Sequence, residues 1–302
     1  MSVAKPESLR GKLLRQESLA RYTSWRVGGV AERFFQPLDR QDLLQMIASL
    51  PAAEPVFFIG LGSNILIRDG GIKGTVIHLQ RGLTTLRVEN EQADQSVIYA
   101  EAGVSSSQLA RFAAKQGLTG AEFFAGIPGT VGGALAMNAG AFGSETWQFV
   151  EAVETVDRDA VVHNRYPKEF EIAYRSVKRP DNEWFLAAYY CFKRDTDVAN
   201  RERVRELLNK RSATQPIGSY SCGSVFRNPP GDHAARLIES CGLKGYRIGG
   251  AEVSEKHANF IINAAQASAK DIEQLIKHVQ STVEAQTNVK LQTEVIIVGE
   301  PQ

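Results

Sequence analysis

Ala125-Gly-Ile-Pro-Gly-Thr-Val-Gly-Gly-Ala-Leu-Ala-Met-Asn-Ala-Gly-Ala-Phe-Gly143 carries glycine at 126, 129, 132, 133, 140 and 143 and no charged side chain. Read as a loop, a stretch this bare leaves its backbone open to close approach by something else. A tightly packed turn cluster is the bland alternative, and Pro128 with the glycines argues against a spanning helix. A second glycine segment, Gly60-Leu-Gly-Ser-Asn-Ile-Leu66, follows the apolar run VFFIGL (56–61). Ile65 stands where a dinucleotide fingerprint needs its third glycine, and no Gly-Lys-Ser/Thr follows, so neither a Rossmann turn nor a P-loop is present. Backbone N–H groups here, with Ser63 and Asn64, suit a phosphate. The two segments together predict a bound nucleotide cofactor.

Residues 41–49 and 105–117 read as short amphipathic helices, the second with a serine N-cap and Gly117 as its stop. Apolar runs at 56–61, 74–79, 149–158 and 184–194 read as strands, as do 86–90 and 96–103, paired in a hairpin. The segment between 63 and 74 reads as a loop. Residues 197–211 form a charged helix. Residues 212–224 are loop, 232–242 a short helix and 258–264 a strand. A helix runs from Ser268 to about 286, with Ile272, Leu275, Ile276, Val279 and Val283 on one face and a Ser268/Asp271 capping box. Residues 294–299 make a last strand. The elements do not alternate regularly, so the fold class is α+β rather than doubly wound.

The chain has 302 residues and a net charge of +1. That length predicts about two domains. The charge gives no footprint for nucleic acid or an acidic membrane surface. No run approaches the ~20 apolar residues of a membrane span, and the N-terminus lacks a signal peptide's apolar core. Cys191, Cys222 and Cys241 form no CxxC pair, and the five histidines form no HExxH, so no metal site is expected. The expectation is a cytoplasmic protein without nucleic-acid or membrane partners.

Three residues stand out for chemistry. Arg175, in AYRS, is a surface cation or a fork for a substrate carboxylate. Ser224, in SCGSVFRNP, is a turn serine or a proton donor. Phe226 in the final glycine position excludes a hydrolase elbow. Glu294 is an exposed strand end or a site carboxyl.

TSWRVGG (23–29), GLGSNILI (60–67), GIPGTVGGALAMNAGAFG (126–143), YRSV (174–177), TQPIGSYSCGSVFRNP (214–229), GLKGYRIGGAEVSEKHANFIIN (242–263) and LQTEVIIVG (291–299) appear in this order. The set resembles the UDP-N-acetylenolpyruvoylglucosamine reductase family across nearly the whole chain. The resemblance implies a two-part FAD-binding domain of the vanillyl-alcohol-oxidase/PCMH type (1–82 and 83–212) and a C-terminal α+β substrate-binding domain (213–302). The short interval between Arg175 and Ser224 is similar to the shorter, type II form. Arg175, Ser224 and Glu294 match the family's catalytic positions. Gly60, Leu61, Gly62, Ser63, Asn64, Ile65, Gly126, Ile127, Pro128, Gly129, Thr130, Gly133, Asn138, Ala139 and Arg211 match its cofactor positions. Tyr174, Gln215 and Asn228 fall where it approaches substrate. SYSCGS departs from a commoner Pro-Ser-Ala-Gly-Ser, and Thr130 replaces a common serine.

The chemistry that the resemblance implies is a hydride from NADPH to FAD, then from flavin N5 to the outer carbon of an enolpyruvyl group on a sugar nucleotide. Arg175 and a neutral Glu294 stabilise the charge that gathers on the carboxylate side, and Ser224 protonates the inner carbon. The product is UDP-N-acetylmuramate, a peptidoglycan precursor, and a monomer is expected. Two other readings compete. One is an oxidase of the same domain family with covalently tethered FAD, although neither glycine loop holds His or Cys. The other is a non-enzymatic sugar-nucleotide-binding protein, against which Arg175, Ser224 and Glu294 together weigh.

Overall fold

The computed structural model describes residues 9–194 and 200–302. Its helices are α1 Arg40–Ser49, α2 Ser106–Lys115, α3 Val131–Met137, α4 Asn200–Thr214, α5 Ala234–Ser240 and α6 Ala269–Thr287. The chain divides into two compact units. The first takes in residues up to Arg15, Arg33–Gly60 and Gly74–Lys210; the second takes in Gln16–Glu32, Leu61–Lys73 and Arg211–Gln302.

The first unit is built on an antiparallel sheet in the order Val162–Arg165, Val150–Val156, Trp184–Arg194, Gln95–Glu101, Leu86–Glu91, with Leu118–Thr119 added to Trp184–Arg194. Apolar side chains of α2 and α3 (Leu109, Ala113, Val131, Leu135) share one core with Phe124, Tyr190 and Phe192. Ser105 caps α2 and forms a capping box with Gln108, which satisfies the donors that a helix start leaves open. A second core joins Leu43, Met46 and Ile47 of α1 to Phe35, Ile77 and Leu186. There Val56–Ile59 runs parallel to Ile72–His78.

The second unit packs α6 on the antiparallel strands Arg247–Ile248, Ala251–Val253 and Ile261–Asn263. The helix buries Ile272, Leu275, Ile276, Val279 and Val283, the face the periodicity predicts. Ser268 and Asp271 form the expected capping box. Trp25 is fully buried in the same core and donates from Nε1 to the Ile261 carbonyl at 2.7 Å.

Mixed helices and antiparallel strands confirm the α+β class. Two segments depart from the sequence reading. The glycine stretch 126–143 is not all loop: α3 lies inside it, capped by Thr130 and closed by Asn138 at φ 46°. Ala134 to Met137 favour a helix strongly enough to outweigh Gly132 and Gly133. The supposed loop 63–74 contains the strand Ile65–Ile67, which pairs in parallel with Ile296–Val298. A three-residue strand paired with Ile296–Val298, far along the chain, leaves no local periodicity to read. The strands Lys12–Ser18 and Val30–Gln36 had no counterpart in the sequence reading. The predicted helix 197–211 is α4, three residues longer at its end; its first predicted residues lie outside the described ones.

Candidate active site

In the first unit Gly60 lies against Thr130 of the longer glycine stretch. A Cβ on Gly60 would overlap Thr130 Oγ1 and crowd the rest of that side chain, so glycine is required for the approach. Thr130 Oγ1 also accepts from the Gly133 N–H. The next donors of α3 are taken by the turn that follows the strand Gln95–Glu101: Val131 N–H bonds the Val104 carbonyl and Gly132 N–H the Ala102 carbonyl. The start of this helix is therefore occupied by protein acceptors. The glycines serve different ends. Gly126 would strike Phe142 and Gly132 would strike Ala102, whereas at Gly133 the nearest atom is 3.7 Å away and at Gly143 nothing lies within 4 Å.

Arg175 belongs to the same unit. Ala173 pairs with Ser176 in a short hairpin, so Tyr174 and Arg175 form its two-residue turn. Arg175 adopts φ 53°, a left-handed conformation that costs a non-glycine residue roughly 1–2 kcal/mol. Its guanidinium turns back onto the end of α3, with Nη2 donating to the Gly140 carbonyl at 2.8 Å and Nη1 to the Asn138 carbonyl at 3.3 Å. Glu145 Oε1 stands 3.8 Å from Nη1. Tyr174 is exposed, and Arg175 lies 5.0 Å from its ring centre. Asn138 donates to Glu145 and to the Ala173 carbonyl and accepts from the Trp147 N–H. Ala139 is buried, and its N–H bonds the Ala134 carbonyl.

In the second unit, Gly62 has φ 59° and a Cβ there would run into the Tyr22 carbonyl. Its own carbonyl accepts from the Ser24 N–H. Cys222 Sγ lies 3.5 Å from the Gly62 and Ile65 carbonyls. Burial pushes the Cys222 thiol up to about 12, which leaves it a neutral spacer under the loop. Asn64 donates from Nδ2 to the Glu294 carbonyl at 3.1 Å, and its own carbonyl accepts from Ile296.

Glu294 pairs with Val225, the residue after Ser224. The Glu294 N–H bonds the Val225 carbonyl at 2.8 Å, and Phe226 bridges to Thr293. Asn259 fixes this pairing by accepting from Phe226 N–H and donating to the Phe226 carbonyl. Glu294 precedes the strand Ile296–Val298 by two residues and is half-buried. Among the other expected residues, Gln215 accepts from Arg211 Nε at 3.0 Å, and burial pulls the Arg211 guanidinium down. Asn228 accepts from the Ala234 N–H, which makes it a cap for α5. Sequence reasoning missed Asn259 and Glu145. A buried asparagine in the apolar run ANFIIN is the signal that points to the first; nothing in the sequence marks the second.

In the second unit, the stretch 61–64 suits a phosphate of a dinucleotide cofactor. Among the described residues, the N–H groups of Leu61, Gly62, Ser63 and Asn64 meet no protein acceptor. Backbone donors clustered around a left-handed glycine suit a phosphate. Among the same residues no helix is long and apolar enough to cross a membrane.

Two family profiles match. One, described as FAD binding domain, covers residues 31–164. The other, UDP-N-acetylenolpyruvoylglucosamine reductase, C-terminal domain, covers residues 215–298. A solved 6-hydroxy-D-nicotine oxidase from Arthrobacter nicotinovorans shares the fold at a TM-score of 0.57 and 12% identity, over 96% of this chain and 90% of that one. The fold and the FAD match define an FAD-dependent oxidoreductase. The relatives narrow this. UDP-N-acetylenolpyruvoylglucosamine reductases are 55% identical in Alkalilimnicola ehrlichii (all of both chains) and 52% identical in Thiobacillus denitrificans (97% of this chain, 94% of that one). The crystal structure of the Thermus caldophilus enzyme superposes at a TM-score of 0.80 with 33% identity, over 96% of this chain and 99% of that one. The chain belongs to the UDP-N-acetylenolpyruvoylglucosamine reductase family.

Proposed function

We propose that the chain reduces UDP-N-acetylglucosamine enolpyruvate to UDP-N-acetylmuramate at the expense of NADPH, as a cytoplasmic monomer in peptidoglycan precursor synthesis. Bound FAD would supply the two-electron chemistry that links NADPH to the outer enolpyruvyl carbon. The chain's own groups manage charge and proton. Arg175 and a protonated Glu294 donate to the substrate carboxylate as negative charge gathers there; losing one such donor typically costs ~2.7–4 kcal/mol. Ser224 gives its hydroxyl proton to the inner carbon. The balance is one NADPH and one proton consumed per double bond reduced, with the serine reprotonated from solvent.

The observation that carries the reading is the backbone bond from Glu294 to Val225, the residue next to Ser224. An acid and a carboxyl are set on adjacent backbone by the Val225–Glu294 bond, and Asn259 locks one side of it. Leu61 to Asn64 would hold the cofactor's phosphates, with Thr130, Gly133, Asn138 and Ala139 among its contacts in the first unit. Tyr174, Gln215 and Asn228 are assigned to substrate. The test is product analysis. Incubation with both substrates in deuterated water should give UDP-N-acetylmuramate with one solvent deuterium at the inner carbon, and one NADP⁺ per product. NADPH consumed only in step with O₂, with the enolpyruvyl group returned intact, would refute it.

A further inference from the structure

Arg175 is held in a costly conformation by groups that do not belong to its own hairpin. We infer that Glu145 is a positioning residue for Arg175, acting through Asn138; the inference rests on the role proposed above for Arg175. Four observations within the first unit carry it. Glu145 Oε2 accepts from Asn138 Nδ2 at 2.8 Å. The same amide reaches the carbonyl of Ala173, the residue before the Tyr174-Arg175 turn, at 3.2 Å. The Asn138 carbonyl and the next but one, Gly140, are the two acceptors of the guanidinium. Glu145 lies directly opposite Gly140 in the pairing of Ser144–Glu145 with Gly140–Ala141.

The arrangement is a closed bracket. Asn138 sits at φ 46° and Arg175 at φ 53°, so both backbones need outside support. Glu145 supplies it twice, with a strong acceptor for Asn138 and a negative charge 3.8 Å from Nη1. The ion pair is long and contributes little by itself; the hydrogen bond to Asn138 is the working contact. Gly140 completes the bracket, because a Cβ there would press on Arg175 Nη1 and on the Glu145 side chain. Without the Glu145 carboxylate, the Asn138 amide that ties the end of α3 to the Ala173 carbonyl loses its charged acceptor and is held less firmly. The guanidinium then samples orientations that miss the substrate carboxylate, and misplacement by about 1 Å can cost ~10²-fold in rate.

The test is a double-mutant cycle on the FAD-loaded protein, read as two half-reactions by anaerobic rapid mixing. Glu145→Ala should leave reduction by NADPH within about twofold and slow reoxidation by the enolpyruvyl substrate about tenfold. Glu145→Gln keeps an acceptor for Asn138 and should return to within about threefold of the parent. Arg175→Ala should slow reoxidation, and adding Glu145→Ala to it should slow it no further. Thermal melting and FAD retention are measured alongside, and Glu145→Met, which fills the space without accepting a hydrogen bond, repeats the cycle should Glu145→Ala fold poorly. Full additivity of the two substitutions, or reoxidation at the parent rate in Glu145→Ala and Glu145→Met, would overturn the inference and leave Arg175's role standing. Parent-rate reoxidation in Arg175→Ala would instead remove the reading on which it rests.

Discussion

At the scale of the residue, one hydroxyl and one hydrogen atom are decisive. In the proposed reaction Ser224 gives the proton, and general acid catalysis of this kind is usually worth ~10²–10⁴. Ser224→Ala should therefore slow flavin reoxidation by that factor while NADPH still bleaches the flavin at nearly the parent rate. Stopped-flow absorbance separates the two steps, and equal losses in both would remove the serine from the role. The missing side chains of glycine are as specific. Gly62 and Gly143 both have positive φ, but only Gly62 has a neighbour, the Tyr22 carbonyl, in the place of a Cβ. Gly62→Ala should cost ~1–3 kcal/mol more than Gly143→Ala, since strain and overlap add in the first alone. Differential scanning calorimetry of the two variants checks this. The sequence marked these glycines without sorting them. Gly126 and Gly132 pack on Phe142 and Ala102, and only coordinates distinguish a glycine that admits a ligand from one that admits a neighbour. Ser224 and Glu294 were legible through family resemblance; the bond from Glu294 to Val225 joins segments far apart in sequence, beyond any local pattern.

At the scale of the element, legibility followed length and capping. Helix α6 could be read nearly to the residue because a Ser cap and five apolar positions agree along 19 residues. Helix α3 could not, because its glycines hide a helix that tertiary bonds from Val104 and Ala102 help to start. The short strand Ile65–Ile67 hands on to Arg68, whose guanidinium forks onto Glu273 of α6 at 2.8 and 3.1 Å. Those bonds to Arg68 hold the Glu273 carboxyl at about 2, against the opposing effect of burial and with help from Lys277. A carboxyl depressed in the folded state adds stability above its unfolded value of about 4.5, and that contribution is lost as pH falls toward about 2. Glu273→Gln should cost on the order of 1 kcal/mol near neutrality. The difference from the parent should shrink as the pH is lowered through this window. Chemical denaturation at pH 7 and near pH 3 measures it, and a difference that stays constant would contradict the ion pair as its source.

At the scale of the molecule, the two compact units each interleave separate stretches of chain: the second gathers 16–32 and 61–73 with the C-terminal third. Such interleaving is invisible to a reading that moves along the chain, because it depends on which strands pair at long range. The central claim is that FAD bound to this chain cycles between NADPH and an enolpyruvyl sugar nucleotide. The direct measurement is flavin absorbance under strict anaerobiosis, with NADPH added first and UDP-N-acetylglucosamine enolpyruvate second. Bleaching by NADPH and full recovery on adding the substrate, with no O₂ present, is the predicted result. Bleaching that recovers only when air is admitted would contradict the account and make the protein an oxidase.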